Sequence, residues 1–139
     1  MKNPRIVTLL ASAVRAATTV TVAADLAKLM HTDSGAPRGV RTLIAYLNIT
    51  AVPTTDTVLL KLQEQEPVSG DWSDVPGCAT SARATTGLVK LTMGEAIAAI
   101  TATTAAVAVN QPVPPIFRLS IVHSTTTNFT YSLAVAVGD

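Results

Sequence analysis

From residue 40 onward the chain alternates apolar and polar positions in short runs, the period of strands that bury one face. Over residues 40–50, Leu43, Ala45, Leu47 and Ile49 share one face, while Ile44, Tyr46 and Asn48 share the other. The next run, residues 57–65, sets Val58, Leu60 and Leu62 against Leu59, Lys61 and Gln63. Pro67 presets φ for a turn and Gly70 tolerates positive φ, so residues 59–75 read as a hairpin with Trp72 on the return strand. Pro76 and Gly77 are expected to end that strand. Residues 85–93 predict another, with Val89 and Leu91 opposite Leu88 and Lys90. Residues 116–123 place Phe117, Leu119, Ile121 and His123 on one side. Residues 129–137 do the same with Phe129, Tyr131, Leu133, Val135 and Val137.

Two segments resist this pattern. Ala-rich residues 1–24 read as an extended N-terminal arm carrying one strand near residues 18–23, followed by a helical turn at 25–30 on Leu26, Leu29 and Met30. Ser34, Gly35, Pro37 and Gly39 then form a loop. Residues 94–114 are either an Ala-rich helix over 95–106 or an extended connection, favoured by repeated Thr and the Val107-Ala108-Val109 alternation. Such a segment folds over its own sandwich or docks on another subunit. Six or seven strands separated by turn signals predict an all-β chain: an antiparallel β-sandwich or jelly-roll-like barrel with an extended N-terminal arm. The expected division is an arm at residues 1–24 and a single β-sandwich domain at 25–139.

Composition turns attention to the surface. The 139 residues are 48% hydrophobic and only 14% charged, with a net charge of +1, against about 25% charged in an average soluble domain. Part of so charge-poor a surface is expected to meet other protein. Without a basic run the chain has no means of neutralising phosphates, so nucleic acid is not an expected partner. No stretch approaches the roughly 20 apolar residues of a membrane-spanning helix. Lys2 and Arg5 precede the apolar IVTLLASAV, but that run is short and Arg15 follows, so an arm is expected rather than a targeting signal.

Candidate chemistry is sparse. Cys78 is the only cysteine, which excludes an intrachain disulfide and suggests a buried, inert thiol. His31 and His123 lie far from it in sequence, so neither metal nor cofactor is expected. Glu64 and Glu66 fall on one strand face as a carboxylate pair would, yet solvated hairpin charges explain them more simply. His123-Ser124 lacks the glycine-framed elbow of a nucleophile, and no phosphate loop or dinucleotide fingerprint is present. The chain is therefore not expected to be an enzyme. Trp72 reads as a core or interface anchor, or as a sugar-stacking platform.

Three stretches, PRGVRTLIAYLNITAV, LLKLQEQEPVSGDWSDV and PPIFRLSIVHSTTTNFTYSLAVAV, resemble in order a family of small virion proteins of tailed bacteriophages. The similarity spans residues 37–137; Glu66 stands where the family often has Asp, and Phe117 where it often has Trp. The resemblance implies a β-sandwich structural protein that decorates the capsid. Its partners would be the major capsid protein and copies of itself, as dimer or trimer. It would be made in the host cytoplasm and reside on the phage head. The expected contact residues are Ile6, Val7, Leu9 and Leu10 on the arm, Trp72 on the hairpin, and Ile97, Ile100, Val107 and Val109 in the long connection. A tail or head–tail connector component is the alternative within this class, and a carbohydrate-binding adhesion module the alternative outside it.

Overall fold

The structure is a computed structural model that describes residues 5–22 and 41–138. The helical turn expected at 25–30 and the loop at 34–39 lie outside those residues, as does His31. Every regular element among the described residues is a strand. In chain order these are β1 (Arg5–Arg15), β2 (Thr19–Val22), β3 (Thr42–Ala51), β4 (Val58–Gln65), β5 (Trp72–Ala79), β6 (Gly87–Gly94), β7 (Ala106–Asn110), β8 (Phe117–His123) and β9 (Phe129–Gly138). They form a five-stranded sheet, ordered β1-β9-β3-β6-β7, and a four-stranded sheet, ordered β2-β8-β4-β5.

The pairings nest in sequence. β1 pairs with β9, β2 with β8, β3 with β6 and β4 with β5, all antiparallel. That is one long hairpin rolled over two sheets, the winding of a jelly roll. β7 is an addition, lying parallel to β6. Between the sheets lies a single core. It is built from Leu43, Leu47 and Ile49 of β3, Leu60 and Leu62 of β4, Leu91 and Met93 of β6, Leu119 and Ile121 of β8, and Phe129, Tyr131 and Leu133 of β9, all essentially inaccessible to solvent. These are the inward positions that the period-two pattern marks. Each aliphatic side chain buried there contributes about 1.5–3 kcal/mol against exposure.

The hairpin turn is held by Glu66, through its backbone and its carboxylate. The Glu66 N–H donates to the Asp71 carbonyl at 2.8 Å and the Gly70 N–H to the Glu66 carbonyl at 2.9 Å. The Glu66 carboxylate accepts from the backbone N–H groups of Val68 and Ser69, which holds it below the usual carboxylate range. Gly70 adopts the positive φ of 77° that its turn position requires. β5 does not end at Pro76-Gly77. Gln63 faces Asp74 while Lys61 faces Ala79, so β5 bulges over the residues between. Pro76 is tolerated because β5 is an edge strand, and Gly77 takes a φ of 73°. The bulge turns Val75 and Cys78 into the core.

Strand pairing also decides the two segments that resist the alternation. The strand expected near residues 18–23 is present as Thr19–Val22, the outermost strand of the four-stranded sheet. The stretch before it, expected to be an extended arm, also forms a strand: Arg5–Arg15 is the outermost of the five-stranded sheet. Val7, Leu9, Leu10, Val20 and Val22 pack partly against the core, which draws the segment into the sandwich. Within residues 94–114, the extended reading is the one observed: β7 occupies Ala106–Asn110, and the chain before it folds back through an Ile100–Ala108 bridge. Thr103 stitches that return, its hydroxyl accepting from the N–H of Ala106 at 3.0 Å.

Candidate functional site

The clearest site-like feature is the outer edge of β1. Residues 6–14, between Arg5 and Arg15, contain no charge and no proline. Among the described residues no strand pairs with the outer side of β1. Proteins usually blunt such edges with charges, proline or bulges. Only the last device is present, as register shifts between Thr8 and Leu10 and between Leu10 and Ala13. Ile6 faces Ala136, which in turn faces Ile44, so Ile6 lies on the outer face of the sheet. It is 71% exposed, and Val14, on the same face, is 61% exposed. A backbone ladder without charge or proline, flanked by exposed aliphatic side chains, suits addition of a strand or a flat apolar surface from another protein.

The end of β1 is anchored by chemistry that the sequence pattern concealed. The Arg15 guanidinium lies 4.6 Å from the centre of the Tyr131 ring and donates to the carbonyls of Ala11, Ala13 and Tyr131. The Tyr131 hydroxyl shares a 3.0 Å hydrogen bond with Nε2 of the buried His123. That imidazole stacks on Phe129, with centroids 4.2 Å apart. Its backbone N–H donates to the Thr18 carbonyl at 2.9 Å, tying β8 to the crossing between β1 and β2. Burial holds His123 below the usual histidine range and the Arg15 charge adds to this, while the Ala17 carbonyl opposes it without forming a well-shaped hydrogen bond to Nδ1. Burial pushes the Tyr131 phenol up to about 12. The cluster is enclosed and fixes the strand end; it offers no open position for a substrate.

The anticipated contact residues do not form one patch. Ile6 is exposed on the β1 edge, whereas Val7, Leu9 and Leu10 turn partly toward the core. Trp72 lies on β5, an edge strand of the other sheet among the described residues. Its ring carries the Arg118 guanidinium 4.4 Å from its centre. Ile97 is half-buried and Ile100 is 50% exposed on the connection before β7. Val107 and Val109 are corrected outright: at 2% and 9% exposure they are core residues. Pairing of β7 with β6 points both between the sheets, so neither is available to a partner. Sequence reasoning passed over Val14, Leu88 and Ile116, all exposed and apolar. Val14 and Leu88 are distinguished only by position on a strand's outward face, and Ile116 by its place in the bend just before β8.

Glu64 and Glu66 do not converge as a catalytic pair, since Glu66 is committed to its turn. Burial drives the Cys78 thiol up to about 12, far from nucleophilic. Among the described residues no three of His, Cys, Asp and Glu are grouped to hold a metal ion. No described helix is long and apolar enough to cross a membrane.

No protein-family model and no curated protein matches this chain. Solved structures that resemble it are distant. The Yersinia pseudotuberculosis-derived mitogen is 16% identical at a TM-score of 0.49, covering 98% of this chain and 88% of that one. The CBM22-1–GH10 modules of Clostridium thermocellum endo-1,4-beta-D-xylanase 10B, complexed with xylohexaose, are 9% identical at 0.48, covering 99% of this chain and 25% of that one. The cowpea mosaic virus top component, naturally occurring empty particles, is 12% identical at 0.42, covering 97% and 84%. At these identities and scores none of the three bears on what this chain does.

Proposed function

We propose that this chain is a structural protein of a tailed-phage virion, a decoration protein that binds the outside of the capsid and performs no catalysis. Its partners on this reading are the major capsid protein and further copies of itself. The observation that carries the proposal is the β1 edge: a charge-free ladder with Ile6 and Val14 exposed beside it. Individual contacts of this kind are weak, but many copies on a symmetric shell add them together. The resemblance of the hairpin and closing strands to small virion proteins supplies the choice of partner. The charge-poor surface agrees with it.

The test uses empty heads assembled from the major capsid protein of the same phage. The purified full-length chain is expected to co-sediment with them, and Ile6→Lys with Val14→Lys is expected to abolish this while the melting temperature stays near that of the parent. Both side chains point outward, so the substitutions change the edge without touching the core. Deleting residues 1–17 is not a substitute, because it removes β1 and strips β9 of a neighbour. Full occupancy by the doubly substituted protein would overturn the proposal, and so would parent protein that never associates with heads. Association with purified tails alone would instead favour a tail or connector role.

A further inference from the structure

The outer face of the four-stranded sheet carries a row of side chains used neither by the core nor by the β1 edge. Gln63 on β4 lies between Arg118 on β8 and Asp74 on β5, and Gln65 lies beside Trp72. The Arg118 Nε–H donates to Gln63 Oε1 at 2.8 Å, and Gln63 Nε2 donates to Asp74 Oδ1 at 2.7 Å. Lys61 Nζ reaches both Asp74 oxygens at 2.9 Å, and these bonds to Gln63 and Lys61 hold the Asp74 carboxyl below its ordinary range. Gln65 Nε2 donates to the Gly70 carbonyl at 2.9 Å. Arg118 is stacked on Trp72, so its side chain is fixed at two points. No described residue engages its two Nη groups.

This row does little for stability, because exposed ion pairs and hydrogen bonds of this kind contribute little. What it does is hold donors and an acceptor in fixed positions beside the only indole of the chain. The ordering that a ligand would otherwise impose on these side chains is already in place. Their charges select the ligand class. Lys61 and Arg118 are offset by Asp74 on the strip and by Glu66 and Asp71 at the adjoining turn, so no net field favours a polyanion. The row spans two inter-strand spacings, roughly 10 Å, which suits an extended chain better than a single small molecule. A ligand dense in donors and acceptors, uncharged, with a flat C–H face for an aromatic ring, is a neutral polysaccharide.

We propose that the outer face of the four-stranded sheet binds a neutral polysaccharide, with Trp72 stacking on a sugar ring through the face opposite Arg118, and Arg118, Gln63 and Asp74 hydrogen-bonding its hydroxyls. This site is independent of the β1 edge, which belongs to the other sheet, so a coat protein held by that edge would display the strip. The experiment is affinity electrophoresis of the full-length protein in gels containing xylan, mixed-linkage β-glucan, mannan or dextran, with alginate as the charged control. Retardation by at least one neutral polymer, insensitive to salt, is expected. Trp72→Ala and Arg118→Gln should each weaken it tenfold or more, and Ile6→Lys should leave it unchanged. Asp74→Asn, which keeps the shape of the strip, serves if either variant fails to fold, and should also weaken it. Migration unaffected by every neutral polymer would overturn the proposal. So would retardation by alginate alone that salt abolishes, or neutral retardation that survives all three strip substitutions. Loss of head binding in Trp72→Ala without any polysaccharide binding would make the strip a protein contact and refute it as well. Head binding lost only in the Ile6→Lys and Val14→Lys protein leaves the two proposals separately decided.

Discussion

Tyr131→Phe isolates one buried hydrogen bond at the point where β1, β8 and β9 meet. The ring is kept, so its packing and the Arg15 guanidinium 4.6 Å from its centre are kept too. What disappears is the hydroxyl at 3.0 Å from His123 Nε2. Since Nδ1 has no hydrogen-bond partner, the imidazole would then be buried with neither nitrogen satisfied. Stranding one buried polar group costs about 1–3 kcal/mol, or roughly 3–5 °C in melting temperature per kcal/mol for a chain of this size. Urea unfolding followed by the fluorescence of Trp72 measures it, with an unchanged slope as the check on two-state behaviour. His123→Leu removes the other partner, and in the double variant nothing polar is left stranded. The double variant should therefore be more stable than the two single losses add up to, by on the order of 1 kcal/mol. The same residue sets a pH dependence. His123 is held below its ordinary value, so as acid is added the unfolded chain takes up its proton first. Its contribution to stability is complete above pH ~6.5 and falls as the pH drops through that value, with a limiting slope of about 1.4 kcal/mol per pH unit. His123→Leu should flatten this part of the profile. A Tyr131→Phe protein as stable as the parent, combined with strict additivity in the double variant, would refute the reasoning.

Two further predictions concern the core. Cys78 is buried and its thiol is raised to about 12, so it should be inert to a disulfide-exchange reagent at pH 8 until the chain unfolds; stoichiometric labelling of the native protein would contradict its placement. Gly94→Ala should destabilise by about 1–3 kcal/mol, because an added Cβ would meet the Arg41 carbonyl oxygen at 2.8 Å on the neighbouring backbone; an unchanged urea midpoint would mean that β3 and β6 are not packed so closely there.

Much of the architecture was legible because a strand with one buried face writes its orientation into the sequence. Every inward residue anticipated on β3, β4, β8 and β9 is buried. β1 escaped because its two register shifts break the alternation and its Ala and Ser residues carry little signal. Pro76-Gly77 misled because turn chemistry and an edge-strand bulge use the same residues. The Val107-Ala108-Val109 alternation was visible, but its facing was not, since only the parallel pairing with β6 sends both valines inward.

The candidate sites lay further out of reach. Ile6 is apolar in any reading, and only its place on the outer face of an edge strand leaves it exposed. Arg118, Gln63, Asp74 and Trp72 come from three strands and meet because β4 lies between β8 and β5. The chain's own pattern determined that it would be a two-layered β structure, because alternation and turn residues are local properties that each segment carries with it. Which strands became edges, and which polar side chains became neighbours, was decided by pairing between strands distant in the chain, β1 with β9, β2 with β8 and β4 with β8. That pairing is non-local, so its outcome exists only in the folded sandwich.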